Sequence, residues 1–358
     1  MENDPKEQME TALNSLKNKE NKIYFLVQDT KGSQRAAVAT AYEFAKILNE
    51  DGYNTYILHE KNDYHGVGDW LGEEYTSLPH ASIESKELSV GPADYLVIPE
   101  LYGHVMDQTK EMPCTRIVLA QAYDYIFEML SPGHTWGMLG INKVITTSEG
   151  AKSYIDGLFP GMDTSVIKLG MPEYFKSSDK PKKPIVTIHT REPRETMKIV
   201  KSFYVKYPQF KWITFKDMRG MTRQEFADSL SESCVSIWVD DISGFGTFPI
   251  ESMLSNTPVI GKVPNLKPDW LEEANGFWTF DPNQIINILS AYLKNWLEDS
   301  VPTELYDEMA KTVEPYTLEG QKEQVLSTFK RYMDERIFDM EEGLNKLQPV
   351  EEVAKINN

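Results

Sequence analysis

Two glycines near the middle of the second half of the chain have the residue pattern of an anion-binding turn. Residues 239–261 read VDDISGFGTFPIESMLSNTPVIG, in which Gly244 and Gly246 separate an apolar run from a segment of helical pattern. Glycines let the backbone approach a sugar diphosphate closely, and a helix that begins near Thr247 would direct its free amide groups at the anion. This segment is therefore the first candidate site.

A second glycine turn lies near the start of the chain. Lys31, Gly32 and Ser33 follow the apolar run 22–27 and precede a segment whose apolar spacing favours a helix. The amides of such a turn and the helix dipole favour an anion, so Gly32 and Ser33 are candidate contacts for a phosphate or a sugar. The turn lacks the G-x-G-x-x-G spacing of a dinucleotide site and the G-K-[ST] ending of a P-loop, and a plain turn is the alternative.

Residues 239–261 closely resemble the nucleotide-sugar site of retaining GT-B glycosyltransferases of family 4. In that family a strand leads to the motif E-G-F-G-x-x-x-x-E-A-M-x-x-G-x-P-V-I. The match includes residues 244–246, Glu251, Met253 and residues 258–260 at the expected offsets. The resemblance implies a nucleoside diphosphate sugar as donor substrate, with no other cofactor and no metal ion.

The resemblance also assigns roles to single residues. It implies that Glu251 accepts hydrogen bonds from the ribose hydroxyls and that the backbone near Met221 reads the base. The donor diphosphate would contact the glycine turn itself, through Gly244, Phe245, Gly246 and Thr247.

Two positions of the block depart from the family motif. Ser243 stands where the family has its first acidic residue, which binds hydroxyls of the donor sugar. Either Asp241 takes over that role, or the donor sugar differs from the usual glucose-like one, or activity is lost. Asn256 replaces the family's glycine after the helix, where asparagine tolerates a left-handed backbone.

An arginine at the end of another predicted strand is the candidate for a phosphate clamp. The segment 188–194 reads IHTREPR, and the resemblance implies an arginine and a following lysine here that hold the diphosphate. Arg191 is the first of these, because a planar guanidinium binds phosphate oxygens through two hydrogen bonds. The family's spacing for the second cation falls on Thr196, so Arg194 or Lys198 is its candidate.

The resemblance places the acceptor on the amino-terminal side of the cleft, where polar residues follow two predicted strand ends. His104 follows one of these ends, together with Glu100, and Gln121 and Tyr123 follow the other. Many family members have a histidine at the second position that touches the donor sugar. We expect that function to fall to Gln121 or Tyr123, and we expect these side chains to face the cleft.

Short apolar runs alternate with helix-length segments along the chain, which indicates α/β domains with mainly parallel sheets. The strand-type runs are 22–27, 56–58, 95–99, 117–120, 144–146, 185–188, 212–215, 235–239, 259–260 and 277–280, with a looser match at 167–172. The fold class expected is two doubly wound Rossmann-like domains that face a cleft, as in GT-B enzymes.

The nine residues 176–184 contain four lysines and two prolines, a composition typical of a linker. The predicted organisation follows from this boundary and from the helical pattern after residue 303. It comprises a polar leader 1–21, an acceptor-side domain 22–175, the linker 176–184, a nucleotide-sugar-binding domain 185–302, and helices with a charged tail 303–358.

Composition narrows the functional class further. The 358 residues carry 37 Lys and Arg against 55 Asp and Glu, a net charge of −18 that disfavours nucleic acid as a partner. A basic groove around residues 201–223 stays possible. Cys114 and Cys234 are too few for a disulfide framework and indicate a reducing compartment. With no apolar leader and no membrane-length apolar run, we expect a cytoplasmic protein.

The sequence therefore predicts a glycosyltransferase that moves a hexosyl or pentosyl group from a nucleoside diphosphate sugar to a hydroxyl acceptor, with retention implied by the resemblance. A D-x-D triplet and zinc spacings are absent from the sequence. Three alternatives stay open: a non-catalytic glycosyltransferase-like binding module, an enzyme of this fold that acts on modified bases of DNA, and an epimerase of this architecture.

Overall fold

The amino-terminal half of the chain forms a seven-stranded parallel sheet. This computed structural model describes residues 5–177, 181–240 and 244–346. The strands of the first sheet are β1 (Lys22–Leu26), β2 (Asn54–His59), β3 (His80–Ser82), β4 (Tyr95–Pro99), β5 (Thr115–Ala120), β6 (Lys143–Thr146) and β7 (Asp163–Val166). Their order is β3-β2-β1-β4-β5-β6-β7. The central strands β1 and β4 are almost entirely buried, as expected for strands covered on both faces.

Helices cover both faces of this sheet because each presents an apolar stripe to it. They are α1 (Pro5–Lys17), α2 (Ala36–Glu50), α3 (Gly103–Gln108), α4 (Tyr123–Met129) and α5 (Glu149–Leu158). Helix α1 lies inside the segment expected to be a polar leader. Its Ala12, Leu13 and Leu16 are buried in the core, so part of that segment belongs to the fold.

The second half of the chain forms a five-stranded parallel sheet with the order β12-β11-β10-β8-β9. Its strands are β8 (Lys183–Thr190), β9 (Thr214–Asp217), β10 (Ser233–Val239), β11 (Val259–Lys262) and β12 (Phe277–Thr279). The helices are α6 (Pro193–Lys206), α7 (Arg223–Glu232), α8 (Thr247–Leu254) and α9 (Ile285–Leu297). Every residue of the central strand β10 is buried.

Helix α10 (Thr303–Val313) packs against α8 of the second domain, and α11 (Leu318–Lys346) returns to the first domain. Val325, Phe329 and Tyr332 of α11 are fully buried. The Phe329 ring packs 5.9 Å from that of Phe25 in β1, and the Tyr95 hydroxyl of β4 donates a hydrogen bond to the Tyr332 carbonyl at 3.1 Å. Helix α11 thus completes the core of the amino-terminal domain.

Two predicted strands differ from the observed ones. Residues 167–172 are irregular, because the Met171 amide donates to the Tyr316 carbonyl before α11 at 3.0 Å and not to a neighbouring strand. Strand β9 begins at Thr214, and Trp212 ahead of it is about half exposed.

The predicted linker is ordered at its carboxyl end. Lys183 already belongs to β8, two residues before the predicted start at Ile185. The Lys182 ammonium donates to the carbonyls of Ser231 and Ser255 at 2.9 and 2.7 Å, and to the Thr257 hydroxyl at 2.6 Å. Burial lowers the pKa of Lys182 to about 8. The division of the chain at 176–184 stays a prediction.

The two sheets face each other with the carboxyl ends of their strands, the edge at which parallel sheets bind ligands. Gly244 after β10 forms an isolated bridge with Ala122 after β5, which joins the two edges directly. Asp269 of the second domain accepts hydrogen bonds from the amides of Glu149 and Gly150 at 2.5 and 2.6 Å, at the start of α5. A cleft between the domains is therefore bounded by these contacts.

Within the described part of the chain, every helix is too short or too polar to span a bilayer. Cys114 and Cys234 are buried free thiols. Burial raises the pKa of both thiols, which makes them poor nucleophiles.

Candidate active site

The glycine motif forms the turn from β10 into α8, as predicted. Gly246 is the residue before the helix and has φ +71°, and a Cβ atom there would lie 2.8 Å from the Trp238 ring. Phe245 is buried against Tyr316, with ring centroids 5.2 Å apart, and its carbonyl accepts a hydrogen bond from Trp270 at 2.6 Å. This aromatic packing fixes the backbone that precedes the helix.

Helix α8 has an amino terminus suited to an anion. Its N-cap residue is Gly246, and among the described residues no side-chain cap is found at this end. The predicted contacts Asp241 and Ser243 lie outside the described residues, and their roles stay predictions.

Replacement of Gly246 by alanine should destabilise the second domain by about 2–5 kcal/mol. The left-handed backbone costs a non-glycine residue about 1–2 kcal/mol, and the collision with Trp238 adds about 1–3 kcal/mol. Gly133 is the matched control, because it has φ +79° with open space around it. Thermal and urea unfolding should show a clearly larger loss for Gly246→Ala than for Gly133→Ala, and equal losses would contradict the packing argument.

Arg191 lies at the switch point of the second sheet, between β8 and β10. Its Nε and Nη2 donate to the two oxygens of Asp240, which follows β10, at 2.9 and 3.2 Å. Its Nη1 donates to the Tyr125 hydroxyl of the first domain at 3.4 Å. Burial alone would lower the pKa of Arg191, but the Asp240 carboxylate outweighs it and raises the pKa. A permanently charged guanidinium thus faces the cleft beside α8.

Glu251 lies one turn inside α8, as predicted. Burial raises the pKa of its carboxyl to about 7, Arg223 opposes this increase, and Glu43 adds to it. The Thr247 hydroxyl donates a hydrogen bond to Glu251, which favours the charged form. Carboxyl groups with a raised pKa cluster at functional sites, which makes Glu251 a candidate site residue.

Solved structures share this two-domain arrangement over most of the chain. Sucrose-phosphate synthase from Thermosynechococcus elongatus aligns with a TM-score of 0.63 at 13% identity, over 88% of this chain and 99% of that chain. A point mutant of S. aureus TarM in complex with fondaparinux, alpha-GlcNAc-glycerol and UDP aligns with a TM-score of 0.62 at 10% identity, over 86% and 99%.

The chain has a GT-B fold. Anabaena HepE in complex with UDP-glucose also shares this GT-B fold, with a TM-score of 0.59 at 14% identity, over 87% of this chain and 99% of that chain. No protein-family model matches the sequence.

A curated relative is the alpha-1,6-glucosyltransferase of Actinobacillus pleuropneumoniae serotype 7 (strain AP76), which is 23% identical over 224 residues. The aligned part covers 61% of this chain and 66% of that enzyme, slightly less than two thirds of its length.

On the first-domain side of this GT-B fold, the glycine turn is closed on itself. Gly32 has φ +79°, the Ser33 amide donates to the Thr30 carbonyl at 2.9 Å, and the Lys31 amide donates to the Asp29 carboxylate at 3.0 Å. These internal bonds leave fewer amides for a ligand than predicted. They favour the plain-turn alternative for Gly32 and Ser33 in this state.

The predicted acceptor residues His104, Gln121 and Tyr123 have different surroundings. His104 is exposed on the first turn of α3, and its ring contacts that of Tyr102. Gln121 donates to the Ala37 carbonyl at 3.0 Å and so supports the start of α2.

The expectation that Tyr123 faces the cleft is wrong in this structure. Its ring is buried among residues of α3 and α5, and its hydroxyl lies 3.4 Å from that of Ser148. The reason is that α4 begins at Tyr123, so the side chain turns onto the sheet. Glu100 is also buried, and it accepts a hydrogen bond from the Ala122 amide at 2.9 Å.

The candidates for the second cation lie on α6, and their role stays a prediction. Arg194 is exposed on the first turn of α6, and Lys198 is exposed on its second turn. Thr196, at the family's spacing, is buried and shares a 2.6 Å hydrogen bond with Thr190. The predicted base-reading segment contacts the first domain, because the Gln34 side chain donates to the Met221 carbonyl.

Sequence reasoning missed the partners of the site. Asp240, Tyr125, Glu43 and Arg223 had no assigned role, yet each pairs with a predicted site residue or with another member of this set. Only Asp240 carried a usable signal, because it follows the same strand as the glycine motif. In the described ranges, no group of three or more His, Cys, Asp or Glu side chains is arranged to hold a metal ion.

Proposed function

We propose that this chain is a glycosyltransferase that moves a hexosyl group from a uridine diphosphate sugar to a hydroxyl acceptor. The observation that carries the proposal is that Arg191, the amino terminus of α8 and Glu251 follow the carboxyl ends of the neighbouring strands β8 and β10 of the second sheet. These groups offer a cation and oriented amides for a diphosphate, and an acceptor for ribose hydroxyls.

The choice of donor is supported by the proteins that share the fold. Neighbours bound to UDP or UDP-glucose have the same two-domain arrangement, and the curated relative is a glucosyltransferase. We therefore propose UDP-glucose or a similar hexose donor. The first domain would hold the acceptor, and the buried free thiols fit a cytoplasmic location.

The reaction breaks the bond between the anomeric carbon and the diphosphate oxygen and forms a bond to an acceptor oxygen. Negative charge grows on the leaving diphosphate as the anomeric carbon gains oxocarbenium character. Arg191 and the amides at Thr247 and Phe248 would stabilise that charge, which is the largest single contribution available at this site. The acceptor hydroxyl attacks from the face that the diphosphate leaves and gives its proton to the departing phosphate oxygen, so UDP leaves and the sugar keeps its anomeric configuration.

Calorimetry and thermal unfolding of the full chain with UDP, GDP, ADP and UDP-glucose test the proposal. At a UDP concentration of about one hundred times Kd, the unfolding free energy should rise by about 2.7 kcal/mol. Slow release of glucose from UDP-glucose without acceptor would support catalysis, and an α-anomer as first product would support retention. Absence of binding by every nucleotide would overturn the proposal and favour a non-catalytic module.

A further inference from the structure

An ion pair joins the two domains beside the proposed donor site. Glu43 on α2 of the first domain is largely buried, and its Oε1 lies 3.8 Å from Nη2 of Arg223. Arg223 is the first residue of α7 in the second domain, and its Nη1 donates to the Tyr174 hydroxyl at 3.0 Å. The guanidinium of this second-domain residue is therefore held by two groups that precede the predicted linker, Glu43 and Tyr174.

Arg223 also interacts with the predicted ribose-binding carboxylate. Helix α7 packs against α8 through Phe226 and Phe248, whose ring centroids are 5.9 Å apart. This packing brings the Arg223 charge within range of Glu251, where it favours the ionised carboxylate. Glu43 acts on the same carboxylate with the opposite sign. One cation thus lies between two carboxylates that belong to different domains.

We propose that Arg223 is a positioning residue of the donor site, shared between Glu251 of the second domain and Glu43 of the first. The inference rests on the proposed function, because it concerns the residue that would receive the ribose. A ribose hydroxyl donates to an ionised carboxylate, so binding favours the charged form of Glu251. Glu43 pairs with Arg223 and raises the pKa of Glu251, so it disfavours the charged form of Glu251. The first domain therefore weakens donor binding.

The groups that face this pair are few and come from five parts of the chain. Glu251 is faced by Arg223 of α7, Glu43 of α2 and Tyr174 after β7. Glu43 is faced by Lys46 on its own helix, by Arg223, by Tyr75 and by Gln321 of α11, whose amide donates at 3.4 Å. Arg223 is the cation common to both carboxylates.

The test is the pH dependence of UDP-glucose affinity, measured by calorimetry between pH 5.5 and 9. UDP-glucose is the probe because its diphosphate is a diester without a group that titrates in this range. Arg223 lowers the pKa of the Glu251 carboxyl and Glu43 raises it, so removal of one charge or the other should move the pH midpoint in opposite directions. Glu43→Gln should therefore strengthen binding about fivefold at pH 6 and move the midpoint to lower pH. Arg223→Met should weaken binding about fivefold at pH 7 and move the midpoint to higher pH.

Two controls separate this role from a structural one. Arg223→Lys keeps the charge and should restore most of the affinity. Glu50→Gln removes an exposed carboxylate of the same helix, paired with Lys46 at 3.0 Å, and should leave the profile unchanged. Shifts of the same sign in Glu43→Gln and Arg223→Met, or unchanged midpoints in both, would overturn the inference while UDP-glucose still binds. Loss of all binding in the wild-type chain would instead overturn the proposed function.

Discussion

Replacement of Arg191 by alanine is expected to lower the affinity for UDP about a hundredfold. Arg191 offers two charge-assisted hydrogen bonds, each of about 1.5–3 kcal/mol, and a hundredfold loss corresponds to about 2.7 kcal/mol. Calorimetry on the purified variant measures the change directly. Its thermal stability should fall little, because the Asp240 pair is partly exposed and such pairs contribute about 0–1 kcal/mol.

Two companion variants sharpen the Arg191 result. Lys201→Ala removes an exposed cation of α6 and should leave UDP affinity within about twofold of wild type, since screened surface charges interact weakly. Asp240→Asn removes the carboxylate that both occupies Arg191 and repels an anion, so it should strengthen UDP binding. Equal losses of UDP affinity in Arg191→Ala and Lys201→Ala would mean that the net charge of this region determines the affinity, and that the hydrogen bonds of Arg191 do not.

Replacement of Glu251 by glutamine should weaken the binding of UDP-glucose at pH 8 and raise the stability of the unliganded protein. The wild-type affinity for UDP-glucose should fall about tenfold from pH 8 to pH 6, because the pKa near 7 protonates the carboxylate in this range. The glutamine cannot be ionised, so the variant should bind more weakly at pH 8 and show a flat profile. Calorimetry at several pH values distinguishes these curves.

The same replacement should stabilise the unliganded protein at pH 8. The folded pKa of Glu251 lies above its ordinary value, so the folded chain holds this proton more tightly than the unfolded chain. The free energy of unfolding therefore falls as the pH rises from about 4.5 to 7, and an uncharged glutamine avoids a loss of about 3 kcal/mol. A variant that gains stability and loses binding would identify Glu251 as a functional residue. A loss of both would indicate a structural one.

The parts of the site that sequence reasoning predicted are those built from neighbouring residues. The turn at Gly244 and Gly246, the start of α8 and the place of Glu251 depend on local backbone rules, and Arg191 depends on where one strand ends. Each of these features needs a window of about ten residues. The fold class followed in the same way from the alternation of short apolar runs and helices.

The remaining parts depend on contacts between distant segments. Glu43 and Arg223 are 180 positions apart, and only the meeting of two domains makes them a pair. Tyr123 follows a strand end as expected, but the immediate start of α4 turns its ring into the core. Helix α1 lies in a segment that reads as polar, because only three of its apolar side chains are buried and its partner is the distant helix α11.

The return of α11 to the first domain has a consequence for the order in which the protein folds during synthesis. The ribosome releases β1 and β4 early, but Phe25 and Tyr95 obtain their partners Phe329 and Tyr332 only when residues beyond 318 emerge. The second domain, which is continuous from β8 to α9, has all its strands before then. The domain translated first should therefore reach its native core last, and a nascent chain stalled near residue 300 would expose an apolar face to chaperones and proteases.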